Sequence, residues 1–431
     1  MIRTRFAPSP TGHVHIGNMR AAIYNWLYAR HHGGLFLLRM EDTDRERSTP
    51  EAVQTVLDAM DWLGLDTDET PVYQSQRREA HLAAAEQLLA DGHAYKSDKG
   101  GTGRGEAVVF RMPGSDMSFT DGVKGTLTKK AEHLQDFVIV RSDGSPVFHL
   151  ANVVDDIHMQ VTDVIRGDDH VENTFRHLAL YQALGAPVPK FAHLPMIVNA
   201  QGKPYSKRDG AAFVGDFRAN GYLAEALFNY LVLLGWSAGD DREVFTRAEL
   251  IEAFSLDRVQ SSAAQFDWKK FEWMNGEHLR ALPRDVHRAQ YTQAIPVAQA
   301  DAEYLDAVIT VMEERIKRWD DIPAMAGFFF TDDYAYDEAA VQKRLQKEGA
   351  LDLLAALESA YAALSDFTAE TAEQALRQLA EERGVKPADL IHPVRIAVSG
   401  IPQGPSLFHM LAVLGRDRVL TRMQRTRETF C

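Results

Sequence analysis

The spacing of apolar positions changes character near residue 210. Before it, short apolar runs alternate with amphipathic stretches. Residues 3–7 read as a strand. Ile16, Met19, Ile23, Trp26 and Leu27 then recur at helical spacing, and the run from Leu35 to Met40 has the continuous apolar pattern of a buried strand. A helix starts at Ser48-Thr49-Pro50-Glu51, shows one apolar face through Val53, Val56, Leu57, Met60 and Leu63, and stops at Gly64. A further helix is predicted over 75–90, short strands over 108–112 and 137–141, and a hairpin turn at Asp143-Gly144. Residues 96–106 are Lys-, Gly- and polar-rich and read as a loop. A central strand over 161–166, a helix over 171–184 and a strand segment over 191–198 complete this half. Beyond residue 210 the strand patterns stop. Helices are predicted over 223–235 and 246–254, the latter with a Thr246/Glu249 capping box, and Ala/Leu/Glu-rich helical segments run to the end. The expected fold is therefore α/β, with a parallel sheet in the N-terminal half and an all-α C-terminal half.

Polar groups gather where three of these strands end. The first strand runs into Pro8, Pro10 and Gly12, which forbid helix, and the next helix opens at His15-Ile16-Gly17-Asn18. A helix N-terminus offers unpaired N–H groups and a positive dipole end, which suits phosphate. His15 can donate to a phosphate oxygen there, and Gly17 lets a nucleotide approach the backbone. The second strand ends in Glu41-Asp42-Thr43-Asp44 and the central one in Arg166-Gly167-Asp168-Asp169-His170. In a parallel βαβ arrangement these ends share one rim, where ligands bind. Asn152 lies in an otherwise apolar run, so its amide needs a partner. Gly202 and Gly210 bracket a basic loop carrying Lys203, Lys207 and Arg208.

Composition narrows the class of protein. The 431 residues suffice for two to four domains, and 45% apolar with 25% charged residues is ordinary for a soluble chain. There is no apolar run of about 18 residues to span a bilayer and no signal-peptide pattern, so a cytoplasmic location without membrane association is expected. The single cysteine, Cys431, excludes a disulfide framework and a Cys-based zinc site. A net charge of −14 argues against non-specific coating of nucleic acid, while local basic clusters leave specific binding open.

Taken in order, these constellations resemble the class I aminoacyl-tRNA synthetases, and among them the bacterial glutamyl-tRNA synthetases. Arg5-Phe6-Ala7-Pro8-Ser9-Pro10-Thr11-Gly12 followed by His15-Ile16-Gly17-Asn18 is similar to that family's opening and HIGH motif. Arg39-Met40-Glu41-Asp42-Thr43-Asp44, Tyr73-Gln74-Ser75-Gln76-Arg77, His149-Leu150-Ala151-Asn152-Val153-Val154-Asp155-Asp156 and Thr162-Asp163-Val164-Ile165-Arg166-Gly167 resemble further signatures. Ser206-Lys207-Arg208 sits where the KMSKS loop falls, and Phe266 to Asn275 resembles another family segment.

The resemblance implies a Rossmann-like catalytic domain in two parts, 1–95 and 137–200. Between them lies a short acceptor-end-binding insertion, 96–136. The KMSKS loop and a helical stem-contact domain follow over 201–315, then an all-α anticodon-binding domain over 316–431. It implies ligation of L-glutamate to tRNA-Glu through a glutamyl-adenylate, with ATP and Mg2+ as a substrate complex and no structural zinc. The partners are tRNA-Glu, glutamate and ATP, and a monomer is expected. His15 and Lys207 become the catalytic pair. Ser9, His15, Gly17, Asp169 and Lys207 fall to ATP, and Arg5, Ala7, Ser9, Glu41, Phe148, Asn152 and Arg166 to glutamate. Lys269, Lys270, Arg280, Arg416 and Arg422 are candidate tRNA contacts.

Three positions depart from the family pattern. Pro204 replaces the first lysine of the KMSKS loop, Phe148 stands where many relatives have tyrosine, and the stretch between Tyr95 and Val108 is short and lacks cysteine. Glutaminyl-tRNA synthetases typically show a P-P-E-P-N-G pattern, which this chain replaces with Ala7-Pro8-Ser9-Pro10-Thr11-Gly12. Glutamyl-queuosine tRNA synthetases lack the C-terminal helical half. The sequence leaves open an enzyme that also charges tRNA-Gln with glutamate, and an inactive tRNA-binding paralogue.

Overall fold

In a computed structural model of the chain, residues 1–44, 47–98, 105–295 and 301–431 are described. The loop expected over 96–106 lies mostly outside them. The chain divides into two compact units, Met1–Met274 and Asn275–Cys431.

The first unit opens with β1 (Arg3–Phe6), α1 (Ile16–His31), β2 (Leu35–Met40), α2 (Pro50–Trp62) and β3 (Val72–Tyr73). β1, β2 and β3 pair in parallel in that order, with Arg5 opposite Leu37 and Arg39 opposite Val72. Side chains alternate faces along β2. Phe36 and Leu38 enter one core with Ile16, Met19, Ile23 and Leu27 of α1, while Leu37 enters a second core with Leu88, Leu150, Val153 and Leu178. Each fully buried leucine of this kind contributes roughly 1.5–3 kcal/mol of transfer free energy. That two-sided burial is why β2 reads as an unbroken apolar run.

The chain continues through α3 (Arg78–Ala90), β4 (Ala94–Ser97), β5 (Ala107–Phe110), β6 (Met117–Asp121), β7 (Gly125–Lys129) and β8 (Phe137–Val140). Next come α4 (Phe148–His158), β9 (Asp163–Gly167), α5 (Val171–Ala183), β10 (Lys190–Leu194) and β11 (Ile197–Val198). β4, β5 and β8 form one antiparallel sheet, and a second sheet runs β7-β6-β10-β9. In the second sheet β9 and β10 are parallel, with Arg166 opposite His193, and β6 joins β10 in parallel with Asp121 opposite Phe191.

Two expectations change. The strand expected over 191–198 is broken into β10 and β11, because Pro195 has no N–H to continue the ladder. Strand pairing also does not stop near residue 210, since Ala264–Gln265 pairs in parallel with β11.

The second unit is helical, with segments including Ala350–Ala362, Ala369–Glu382, Ala388–Ser399, Leu407–Leu414 and Arg416–Phe430. Leu354, Leu357, Leu376, Val394, Leu411, Val419 and Met423 are buried within it. Among the described residues no helix is long and apolar enough to cross a membrane.

Candidate active site

A cavity of about 730 Å³ lies at the carboxyl ends of β1, β2, β9 and β10, where parallel sheets place their ligands. From the first strand and its turn come Arg5, Ala7 and Ser9; from the start of α1, His15 and Gly17. Glu41, Phe148, Asn152, Arg166 and Asp169 line it as well. Residues spread over more than 160 positions of sequence thus converge, as the rim argument expected.

The floor is a buried charge network. Arg5 donates through Nε and Nη2 to the two carboxylate oxygens of Asp156, at 3.1 and 3.4 Å. Arg39 also donates to Asp156, and through Nη2 to Glu41 at 3.1 Å. Asn152 donates its amide to the same Glu41 oxygen at 2.9 Å. The partner that Asn152 required is therefore Glu41, and its own oxygen, Oδ1, is buried without a partner. Asp156 is held well below the usual carboxylate range, at about 2. Burial acts against this, but Arg39 and Arg5 outweigh it.

Arg166 is surrounded differently. Its Nε donates to His193 Nε2 at 3.2 Å, Nη1 to His177 Nδ1 at 3.3 Å, and Nη2 to the Thr174 hydroxyl at 2.7 Å and the His170 carbonyl at 3.4 Å. All four acceptors are uncharged. Burial and the nearby Arg5 lower its pKa to about 9. A guanidinium carries five N–H groups, so one remains for a ligand. The surrounding imidazoles are kept neutral, His149 and His170 lowered to about 4 and His177 well below its ordinary value, by burial first and by the arginines second. The Phe148 ring packs against His149, His170 and His177 at 5.4–5.8 Å, so its edge of the cavity is apolar.

At the opposite side, His15 caps α1. Its Nδ1 accepts from the Gly17 N–H at 3.1 Å, which leaves the proton on Nε2, and this donates to the Tyr205 carbonyl at 3.1 Å. Burial lowers its pKa, so the ring is neutral. A Cβ on Gly17 would stand 3.2 Å from His15 Nδ1, which is why glycine follows the cap so closely.

The basic loop is tied to this corner. Ile16 N–H donates to the Ala212 carbonyl and Val214 N–H to the Val14 carbonyl, both at 3.0 Å, so the segment after the loop runs beside the start of α1. Ser206 and Asp209 form a reciprocal cap around Lys207–Asp209. Lys207 is exposed and is not part of the cavity wall. Its Nζ lies 4.4 Å from the centre of the Phe213 ring, whose edge-on neighbour is His15. Lys203 is exposed on the turn before Pro204.

The candidate tRNA contacts separate. Lys269 is exposed, Lys270 is paired with Glu243, and Arg280 with Glu277. Arg416 is part-exposed and donates to the Leu364 carbonyl at 2.7 Å. Arg422 corrects the sequence reading: only 1% of its side chain is exposed. It donates to the Phe328 and Thr331 carbonyls and to Asp332, so its fork is occupied inside the second unit.

Sequence reasoning assigned no role to Arg39, Asp156, Thr174, His177, His193, Asp121 or Phe213. Two carried a signal. An arginine inside the apolar run Leu35–Met40 and an acid pair on an apolar helix face each demand a buried counter-charge.

Comparison with known proteins agrees with this geometry. Residues 1–102 and 99–273 match the family described as tRNA synthetases class I (E and Q), catalytic domain, and residues 285–427 match the anticodon binding domain. The chain is similar to glutamate–tRNA ligase 2 of Koribacter versatilis (strain Ellin345), 40% identical over 470 residues, covering 99% of this chain and 98% of that protein. It is 42% identical over 458 residues to the glutamate–tRNA ligase of Oleidesulfovibrio alaskensis, covering 98% of each. Its fold is similar to a crystal structure of a glutamate tRNA ligase from Elizabethkingia meningosepticum CCUG26117 in complex with its amino acid. The TM-score is 0.85 at 29% identity, covering 100% of both chains. With matches of this extent along its whole length, and the charged cavity at the ends of its parallel strands, the chain belongs to the class I tRNA synthetases of the E and Q group, among the glutamate–tRNA ligases.

Proposed function

We propose that the cavity binds L-glutamate beside MgATP, forms glutamyl-adenylate with release of pyrophosphate, and passes the glutamyl group to the 3′ end of tRNA-Glu with release of AMP. One observation carries the choice of substrate. Arg166 is a buried guanidinium at the cavity wall whose direct partners are all uncharged, whereas Arg5 and Arg39 already share Asp156. A buried cation whose direct partners are all neutral favours a ligand carboxylate strongly and rejects an amide, whose NH2 would face N–H donors. Glu41, held by Arg39 and Asn152, is the anion available for the substrate ammonium.

In the first step an oxygen of the glutamate α-carboxylate attacks the α-phosphorus in line, and the bond to the pyrophosphate oxygen breaks. The protein's work is positioning and charge stabilisation. His15 presents its Nε2 proton, fixed there by the Gly17 N–H on Nδ1, to a phosphate oxygen once the nucleotide displaces the Tyr205 carbonyl. The N-terminus of α1 adds its dipole. Lys207, on Phe213, supplies a point charge for the leaving phosphates, while Ser9, Gly17 and Asp169 contact the nucleotide. Magnesium arrives with the nucleotide, on phosphate oxygens. Arg5, Ala7, Ser9, Phe148 and Asn152 complete the glutamate site.

The same reading gives 96–136 to the tRNA acceptor end, 201–315 to the stem and 316–431 to the anticodon; the anticodon-domain match over 285–427 supports the last of these and begins within the second. It takes the protein as a monomer of the cytoplasm, on the strength of the family resemblance. Charging of purified tRNA-Glu and tRNA-Gln with glutamate and with glutamine tests it. Glutamate on tRNA-Glu is expected, and equal use of glutamine, or no charging at all, overturns it.

A further inference from the structure

No direct hydrogen-bond partner of the Arg166 guanidinium among the described residues is an acid, but one of them, the His193 imidazole, is itself bonded to Asp121. β6, β10 and β9 lie side by side, and their register puts Asp121, His193 and Arg166 on one face of the sheet. Asp121 is opposite Phe191, two residues before His193 and so on the same face, and His193 is opposite Arg166. All three are buried. Asp121 Oδ2 is bonded to His193 Nδ1, and His193 Nε2 receives the Arg166 Nε–H at 3.2 Å, with the Thr174 hydroxyl at 3.0 Å. A carboxylate on Nδ1 fixes the proton there and leaves Nε2 as an acceptor. The other oxygen of Asp121 is already oriented. Oδ1 accepts the backbone N–H groups of Val123 and Lys124, each at 2.9 Å, and that of His193 at 3.2 Å.

We propose that Asp121 is a positioning residue for substrate recognition: through His193 it holds the Arg166 guanidinium in the orientation that receives the glutamate carboxylate. This rests on the reading of Arg166 as a substrate contact. Asp121 belongs to the strand inserted between the two halves of the parallel-sheet domain, and the strand's last residue thereby reaches the amino-acid pocket. A carboxylate bonded directly to Arg166 would compete with the substrate. Placed behind a neutral imidazole, it offsets part of the cost of burying the cation and leaves the ligand-facing N–H free.

Asp121→Asn separates the charge from the shape. Three backbone donors keep the amide oxygen at the Oδ1 position, so the NH2 faces His193 Nδ1 and inverts the imidazole. Its Nε2–H then meets the Arg166 Nε–H, donor against donor. The expected result is a rise in the KM for glutamate of about tenfold, the loss of one charge-assisted hydrogen bond, with the KM for ATP close to wild type. In a His193→Gln background, D121N adds less than about twofold, because the path through the imidazole is gone. In wild-type protein labelled with 15N-histidine, His193 carries its proton on Nδ1. An unchanged glutamate KM in D121N, the same tenfold rise in both backgrounds, or a wild-type His193 protonated on Nε2 each overturns the proposal. The wild-type spectrum decides even where a variant fails to fold. If Arg166→Ala leaves the glutamate KM unchanged, the substrate reading itself fails. If Arg166→Ala raises it and D121N does not, only the role of Asp121 falls.

Discussion

Arg5 and Asp156, 151 residues apart in sequence, form a two-point ion pair with both side chains almost fully buried. Asp156 also receives Arg39, so one carboxylate holds two guanidiniums beneath the cavity. Removing its charge in Asp156→Asn leaves two buried cations short of an anion. A destabilisation of about 3–5 kcal/mol is expected, the usual consequence of breaking a buried pair from one side, read by chemical or thermal denaturation. Arg166→Ala removes a cation with neutral partners. It should destabilise less, yet raise the glutamate KM roughly tenfold to a hundredfold, one or two charge-assisted hydrogen bonds. Arg5→Ala should raise that KM as well. If both arginine variants keep wild-type glutamate kinetics, the assignment of the pocket is wrong.

His15, Gly17 and Lys207 are expected to act on the nucleotide step. His15→Ala and Lys207→Ala should each lower ATP–pyrophosphate exchange by roughly a hundredfold, the scale of removing one oxyanion donor. Gly17→Ala is subtler. The new methyl would stand 3.2 Å from His15 Nδ1, so the ring must shift by a few tenths of an ångström. A smaller fall in exchange with little change in the glutamate KM is expected. Wild-type exchange in His15→Ala would contradict the role given to it.

Arg422 and Arg416 should behave oppositely although they lie on one helix. Arg422 is buried on carbonyls and Asp332, so Arg422→Ala should lower the stability of the helical unit by several kcal/mol, about the scale of orphaned buried acceptors. Arg416→Ala should leave stability nearly unchanged. If Arg416 touches a phosphate, the variant loses about one unit of the salt slope of tRNA affinity. Equal stability of the two variants would refute the burial argument.

The buried histidines predict an acid-sensitive fold. His149 and His170 sit at about 4 in the folded protein against an ordinary 6.5, with His15, His177 and His193 also lowered by burial. Between pH 6.5 and about 4 the unfolded chain binds more protons, so stability rises with pH and their contribution is lost as pH falls through this window. Asp156, lowered from 3.8 to about 2, contributes above pH 3.8, and that contribution disappears as the pH drops toward 2. Denaturation midpoints measured from pH 7 to pH 4 should fall steadily, and a flat profile would contradict the neutral imidazole cluster.

Much of the fold was legible because its signals are local. The capping box at Thr246 and Glu249 forms as the spacing suggested, and Thr49 with Pro50 opens α2. The run Leu35–Met40 is a central strand because both its faces are covered. The break at Pro195 followed from a missing N–H that the apolar pattern of 191–198 concealed. The pairing of Ala264–Gln265 with β11 joins segments far apart in sequence, and two residues carry no periodicity to announce it.

The sequence by itself determined which residue types could serve the chemistry, and that three strand ends would share a rim, since a parallel βαβ unit brings its carboxyl ends together. It also held the motifs that mark the family. Only the tertiary structure decided how the charges pair. Arg5, Arg39 and Arg166 are chemically alike in sequence, but Asp156 compensates the first two, while the third meets three side chains that bring no charge. It likewise withdrew Arg422 from solvent and set Asp121 behind His193. Hydrogen-bond partners, burial and imidazole tautomers depend on contacts between distant segments, and these exist only once β6, β9, β10 and α5 have packed.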